Sequence, residues 1–117
     1  MILLRVGLLT VLVGIAYLSL SPTTSVSVGN DKVGHFIAYS VLTTNLGVIY
    51  VRNRKKLFNT VLFALCYGAL MEWGQAYVPG RTASFYDMIA NATGVLIGLG
   101  ITLLIGKRIR KIFVKTR

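Results

Sequence analysis

Four long apolar runs, at residues 2–20, 33–51, 57–78 and 88–106, decide what this 117-residue chain can fold into. Each is close to the ~20 residues that an α-helix needs to cross the hydrocarbon core of a bilayer. In that medium a helix satisfies its own backbone hydrogen bonds, which an isolated strand does not. The runs occupy most of the chain, so no separate soluble domain fits beside them. Composition agrees, with 55% hydrophobic and 14% charged residues, against about 25% charged in a typical soluble domain. The sequence therefore predicts one all-α domain over 1–117, an integral membrane four-helix bundle ending in a basic tail at 107–117.

The first run, with Arg5 near its start, has the look of a secretory signal. Against that, Ser19-Leu20-Ser21-Pro22 is a poor cleavage site and the run exceeds a usual signal core. An uncleaved first helix is expected. Cys66 is the single cysteine, so it makes no intrachain disulfide, and inside the third run it reads as packing.

Charge sets the expected orientation. All thirteen basic residues except Lys32 and Arg81 lie at one side of the four-span arrangement: Arg5, the 52–56 connection, and the segment from Lys107 onward. The positive-inside bias places both termini and the 52–56 connection in the cytoplasm. The net charge of +10 is accounted for by this topology and by anionic lipid at the inner leaflet. Nucleic acid is not expected as a partner.

All three acids, Asp31, Glu72 and Asp87, and the one histidine, His35, belong to the opposite, outer half. Asp31, His35 and Tyr39 follow at i, i+4 and i+8 on one face of the second helix, and Asp87 and Asn91 repeat the spacing on the fourth. Glu72 lies about 9 Å below the outer end of a third helix reaching residue 78, with Gln75 one turn nearer the surface. His35 and Asn91 reach in by about 6 Å. Three helices thus bring polar groups close to one interface. A carboxylate on a membrane helix costs about 3 kcal/mol and faces the bundle or a wet cavity. Arg81, His35 and Lys32 are the candidate partners of Glu72, Arg81 by folding back from the Pro79-Gly80 turn.

Structural roles compete with functional ones. Asp31 suits a cap of the second helix, and Ser84-Phe85-Tyr86-Asp87 resembles a capping box with Asp in place of Glu. Lys32 and Arg81 suit contacts with lipid phosphates. Trp73, Tyr77, Tyr86 and Tyr17 fit an outer aromatic belt, and Tyr50 an inner one. Glu72 and His35 sit away from the expected helix ends, so a functional role is favoured for them. On the fourth helix Asp87, Asn91, Gly94 and Gly98 form one stripe. Its Gly94-x-x-x-Gly98 lets another helix approach closely, so this face is expected to point into the bundle.

At these residues the chain resembles the VanZ-like family of bacterial membrane proteins. The pattern is Asp31-Lys32-x-x-His35-x-x-x-Tyr39, Glu72-x-x-Gln75, Pro79-x-Arg81 and Asp87-x-x-x-Asn91-x-x-Gly94. The resemblance covers residues 31 to 98 and implies a multi-pass protein of the bacterial cytoplasmic membrane. The family takes its name from an accessory protein of glycopeptide-resistance clusters that lowers susceptibility to teicoplanin. It supplies no established biochemical activity.

Three function classes follow. In the first, an outward-facing pocket binds a cell-envelope lipid head group or a lipid-linked wall precursor. Lys32 and Arg81 contact phosphate, Gln75 and Asn91 supply amide hydrogen bonds, the acids Asp31, Glu72 and Asp87 orient the bases, and His35 and Tyr39 complete the lining. In the second, a membrane enzyme uses His35, oriented by Asp31, and Glu72 for acid–base chemistry on a lipid or phosphate-bearing substrate. In the third, a polar latch fixes helix register. Asp31, His35, Glu72 and Asp87 match no standard metal spacing, and no Walker loop, dinucleotide glycine pattern or serine elbow is present. No cofactor is implied.

Overall fold

The computed structural model describes residues 1–20, 28–78 and 85–115, with the backbone alone at 28–32 and 115. Four helices account for nearly all of them: α1 (Ile2–Leu20), α2 (Val28–Ile49), α3 (Arg54–Gln75) and α4 (Phe85–Lys115). The all-helical, four-helix expectation holds. Three of the four, α1, α3 and α4, are long and apolar enough to cross a membrane. Within α2 the residues whose side chains are described form a further apolar stretch, Val33–Ile49. α2 is enclosed by the other helices, so much of its surface meets protein and tolerates Ser40, Thr43, Thr44 and Asn45.

Helix limits depart from the apolar limits at three places. α2 starts at Val28, five residues before its apolar run, because a helix continues through polar residues wherever its backbone bonds are satisfied. α3 ends at Gln75, and the chain tightens at Ala76, Tyr77 and Val78 into bonds to the carbonyls three residues back, 3.1–3.2 Å long. α4 does not stop at Gly106. It runs through the basic segment to Lys115, where strong helix formers place cations at the negative end of the helix. The tail expected at 107–117 is therefore largely helix. At the start of α3, Asn53 takes an extended conformation and its side chain accepts a 3.1 Å hydrogen bond from Lys56 N.

The bundle is built around α2 and α4, which make the most extensive contact. They run parallel. A Cβ on Gly94 would lie 2.5 Å from the Phe36 carbonyl oxygen, and one on Gly98 2.7 Å from that of Ser40. Thr102 meets Gly47 further along. The glycine stripe on the fourth helix therefore faces α2, as its spacing predicts. The Ser40 hydroxyl crosses the seam to the Gly94 carbonyl at 3.1 Å. α1 runs parallel to α3, joined by the Tyr67 hydroxyl, which donates to Leu12 O at 2.6 Å.

Around this core the outer faces are apolar: Leu9 and Val13 of α1, Leu62 and Leu70 of α3, and Leu96 and Leu104 of α4 are all exposed. A soluble protein rarely shows so continuous an apolar surface. Cys66 lies on this outer surface, not in the packing where the sequence suggests it. Tyr17, Trp73, Tyr77 and Tyr86 are also exposed. They sit on the α1 C-terminus, the α3 C-terminus and the α4 N-terminus, forming a belt at one end of the bundle.

Candidate functional site

The buried face of α3 is Leu57, Thr60, Ala64, Gly68, Met71, Glu72 and Gln75, one stripe at steps of three and four. The stripe is apolar for three turns and polar at its last. Gly68 is its flat point: a Cβ there would stand 3.2 Å from both Asn91 Nδ2 and Tyr39 Cε1. Tyr39 of α2 and Asn91 of α4 thus lie over Gly68, and Glu72 follows by one turn on the same face. Glu72 is 4% and Gln75 1% exposed. These two polar residues interrupt an apolar helix because they occupy its bundle-facing side.

Facing them, α2 and α4 present matching turns. The His35 Nδ1–H donates to Asn91 Oδ1 at 2.9 Å, since an amide oxygen only accepts. Asn91 is thus one group that orients His35; the side chain of Asp31, the orienting group expected from sequence, lies outside the described residues. Asp31 occupies the fourth position of α2, which overturns the reading of it as an N-cap, because the helix begins before it. Asp87 is buried in the first turn of α4, as the acid of a capping box would be; Ser84 lies outside the described residues.

Depth along each helix also changes. With α3 ending at Gln75, Glu72 is about 4.5 Å from its end, while His35 and Asn91 are about 10 Å and 9 Å from theirs. The groups meet because the helix ends are staggered. Of the expected site, the fold brings together His35, Tyr39, Glu72, Gln75, Asp87 and Asn91, all buried. The side chains of Asp31 and Lys32, and all of Arg81, lie outside the described residues. Gly68 is missing from the expectation, although the series 68, 72, 75 carries it as the inward continuation of the polar stripe. No group of three His, Cys, Asp or Glu able to hold a metal exists among the described residues.

Several buried polar atoms at this end make no hydrogen bond among the described residues. Three can donate, Tyr39 Oη, Gln75 Nε2 and Asn91 Nδ2. One is an acceptor, the Oε2 oxygen of Glu72, whose residue has a contact elsewhere. An unmade bond at a buried donor costs about 1–3 kcal/mol.

The family model described as VanZ/LLP1 matches residues 6–106. An uncharacterized protein of the fission yeast Schizosaccharomyces pombe is 32% identical over 95 residues, covering 80% of this chain and 58% of that protein. The chain thus spans less than two thirds of that relative. No solved structure matches it significantly. A match over nearly the whole bundle, with the polar ends of three helices inside it, places this chain in the VanZ/LLP1 family.

Proposed function

We propose that the polar end of the bundle binds the phosphate-bearing head group of a membrane lipid, a phospholipid or a lipid-linked wall precursor. The observation that carries this is the set of three buried donors, Tyr39, Gln75 and Asn91. Phosphate oxygens are acceptors, and hydrogen bonds to a charged group are the strong ones. Lys32, three residues before His35, and Arg81, six residues after Gln75, supply the positive charge. Glu72 takes hydroxyl or ammonium hydrogens of the same head group. The exposed aromatic belt at this end marks the level at which head groups lie. A fission yeast builds no peptidoglycan, so the ligand shared with that relative is better sought among phospholipids. In a bacterium, a site of this kind on the outer face would alter teicoplanin susceptibility through the lipid or precursor.

One observation favours a catalytic variant. The Asn91 contact fixes the orientation of the buried His35 ring at the end of the bundle that also buries Glu72 and Asp87, the residue types of acid–base chemistry.

Tyr39→Phe and Gln75→Met test the binding reading, since each removes a donor and keeps the shape. Lipid binding, measured by native mass spectrometry on protein in zwitterionic nanodiscs, should fall by about tenfold or more for each. Thermal stability should hold or rise, because an orphaned buried donor is replaced by apolar atoms. Falling stability with unchanged binding would identify a latch. Comparing phosphatidylglycerol with a polyprenyl phosphate separates the two lipid sources.

A further inference from the structure

We infer that the opposite, basic end of the bundle holds a second and separate lipid site. Its ligand is an acidic phospholipid, with the phosphate held among Arg52, Arg110 and Lys111.

The α1 N-terminus and the C-termini of α2 and α4 meet here. Leu4, Val48 and Ile49 form a buried cluster with Ile109 and Phe113 packed on it. The overrun of α4 therefore has a packing role, and residues 109–114 present two adjoining faces. Ile109 and Phe113, one turn apart, line a groove of about 370 Å³ with Leu4, Val41 and Ile101. Apart from Ser40, Thr44 and Asn45 on its α2 wall, this groove is apolar. The neighbouring face carries Arg110, Lys111 and Val114, which with Arg52 enclose a second cavity of about 340 Å³. Ile109 and Phe113 stand about 100° around α4 from Arg110 and Val114 respectively, so the groove and the basic cavity open on different faces of one helix end.

Charge identifies the ligand class. Three cations line one cavity, and no carboxylate side chain is near. All three acids of the chain belong to the other end; Asp87 and Arg110 are 23 residues apart on α4, about 34 Å along the axis. That exceeds the Debye length of about 10 Å severalfold. No acidic side chain of the chain supplies the counter-charge. Arg110 is already positioned, its Nη1 reaching the Ile49 carbonyl at 3.5 Å at the negative end of α2. The cavity sits at the end of a bundle whose outer faces are apolar, the level at which lipid phosphates lie, so an acidic phospholipid meets these cations there.

The full chain in phosphatidylcholine nanodiscs, titrated with phosphatidylglycerol and read by native mass spectrometry, tests this. One phosphatidylglycerol per chain should be retained by the Tyr39→Phe/Gln75→Met protein, which separates this site from the polar end. Arg52→Gln with Lys111→Gln, which spares the Arg110–Ile49 contact, should weaken retention by about tenfold or more. Arg54→Gln with Lys107→Gln removes the same charge outside the cavity and should cost less than about threefold. Equal losses from the two charge pairs would overturn the proposal, leaving only diffuse attraction to the membrane surface. So would glycerol phosphate binding as tightly as the lipid, which would make the site one for free phosphate.

Discussion

Glu72 sits where a carboxylate is costly, and its place on the α3 stripe beside Gly68 and Gln75 explains how the fold keeps it. It faces protein, one turn beyond the point where Tyr39 and Asn91 cross α3. Glu72→Gln keeps size and hydrogen-bonding capacity and removes the charge. If the carboxylate takes hydrogens of a head group, lipid binding should fall by about tenfold, and thermal stability and membrane yield should stay near wild type. If Glu72 is half of a latch with Arg81, stability should fall by about 3–5 kcal/mol, since one charge is left buried without its partner. Arg81→Gln added to Glu72→Gln should then restore it. A Glu72→Gln protein that binds lipid normally would falsify the ionised-carboxylate role. At this scale much was legible from spacing, because polar residues inside apolar runs stand out. His35's orienting partner was not, because Asn91 is 56 residues away and only the parallel packing of α2 and α4 makes them neighbours.

The α2–α4 seam decides whether the bundle forms, and its glycines differ in how much room they have. A Cβ at Gly94 would meet the Phe36 carbonyl oxygen at 2.5 Å, with the Ser40 amide nitrogen at 3.2 Å, while Gly100 has nothing within 4 Å. Backbone cannot move aside as a side chain end can. Gly94→Ala should therefore destabilise by about 1–3 kcal/mol, read as a lower melting temperature in detergent. Gly100→Ala should be neutral or gain up to about 1 kcal/mol from helix propensity. Equal effects would mean that the seam opens in the membrane. The stripe Asp87, Asn91, Gly94, Gly98 was readable from its period alone. The limits of α2 and α4 were not, because hydropathy reports the medium around a helix and the backbone follows its own bonds. Val28–Lys32 is helix outside an apolar run, and Lys107–Lys115 is helix beyond one. Buried Thr43 and Thr102 were invisible for a related reason: a threonine in an apolar run gives no sign of which side it faces.

The long axis of the molecule is 44 Å, close to the roughly 40–45 Å of a bilayer with its head groups. The two ends differ in kind along that axis. One carries every acid, the histidine and the exposed aromatic belt; the other carries Arg5, the 52–56 connection and the basic end of α4. By the positive-inside bias, charge asymmetry of this form predicts a basic end in the cytoplasm and hence an outward-facing polar site. Single cysteines at Lys55 and Tyr86, both exposed, test it in a Cys66→Ser background. An impermeant maleimide applied to intact cells should label Tyr86→Cys and leave Lys55→Cys unlabelled until the membrane is opened. The reverse pattern would put the polar pocket inside. The two proposed lipid sites would survive that result, because each is argued from donors or cations within the bundle. The proposed link to glycopeptide susceptibility would not, because teicoplanin acts at the outer surface, where only an outward pocket can compete for the same lipids.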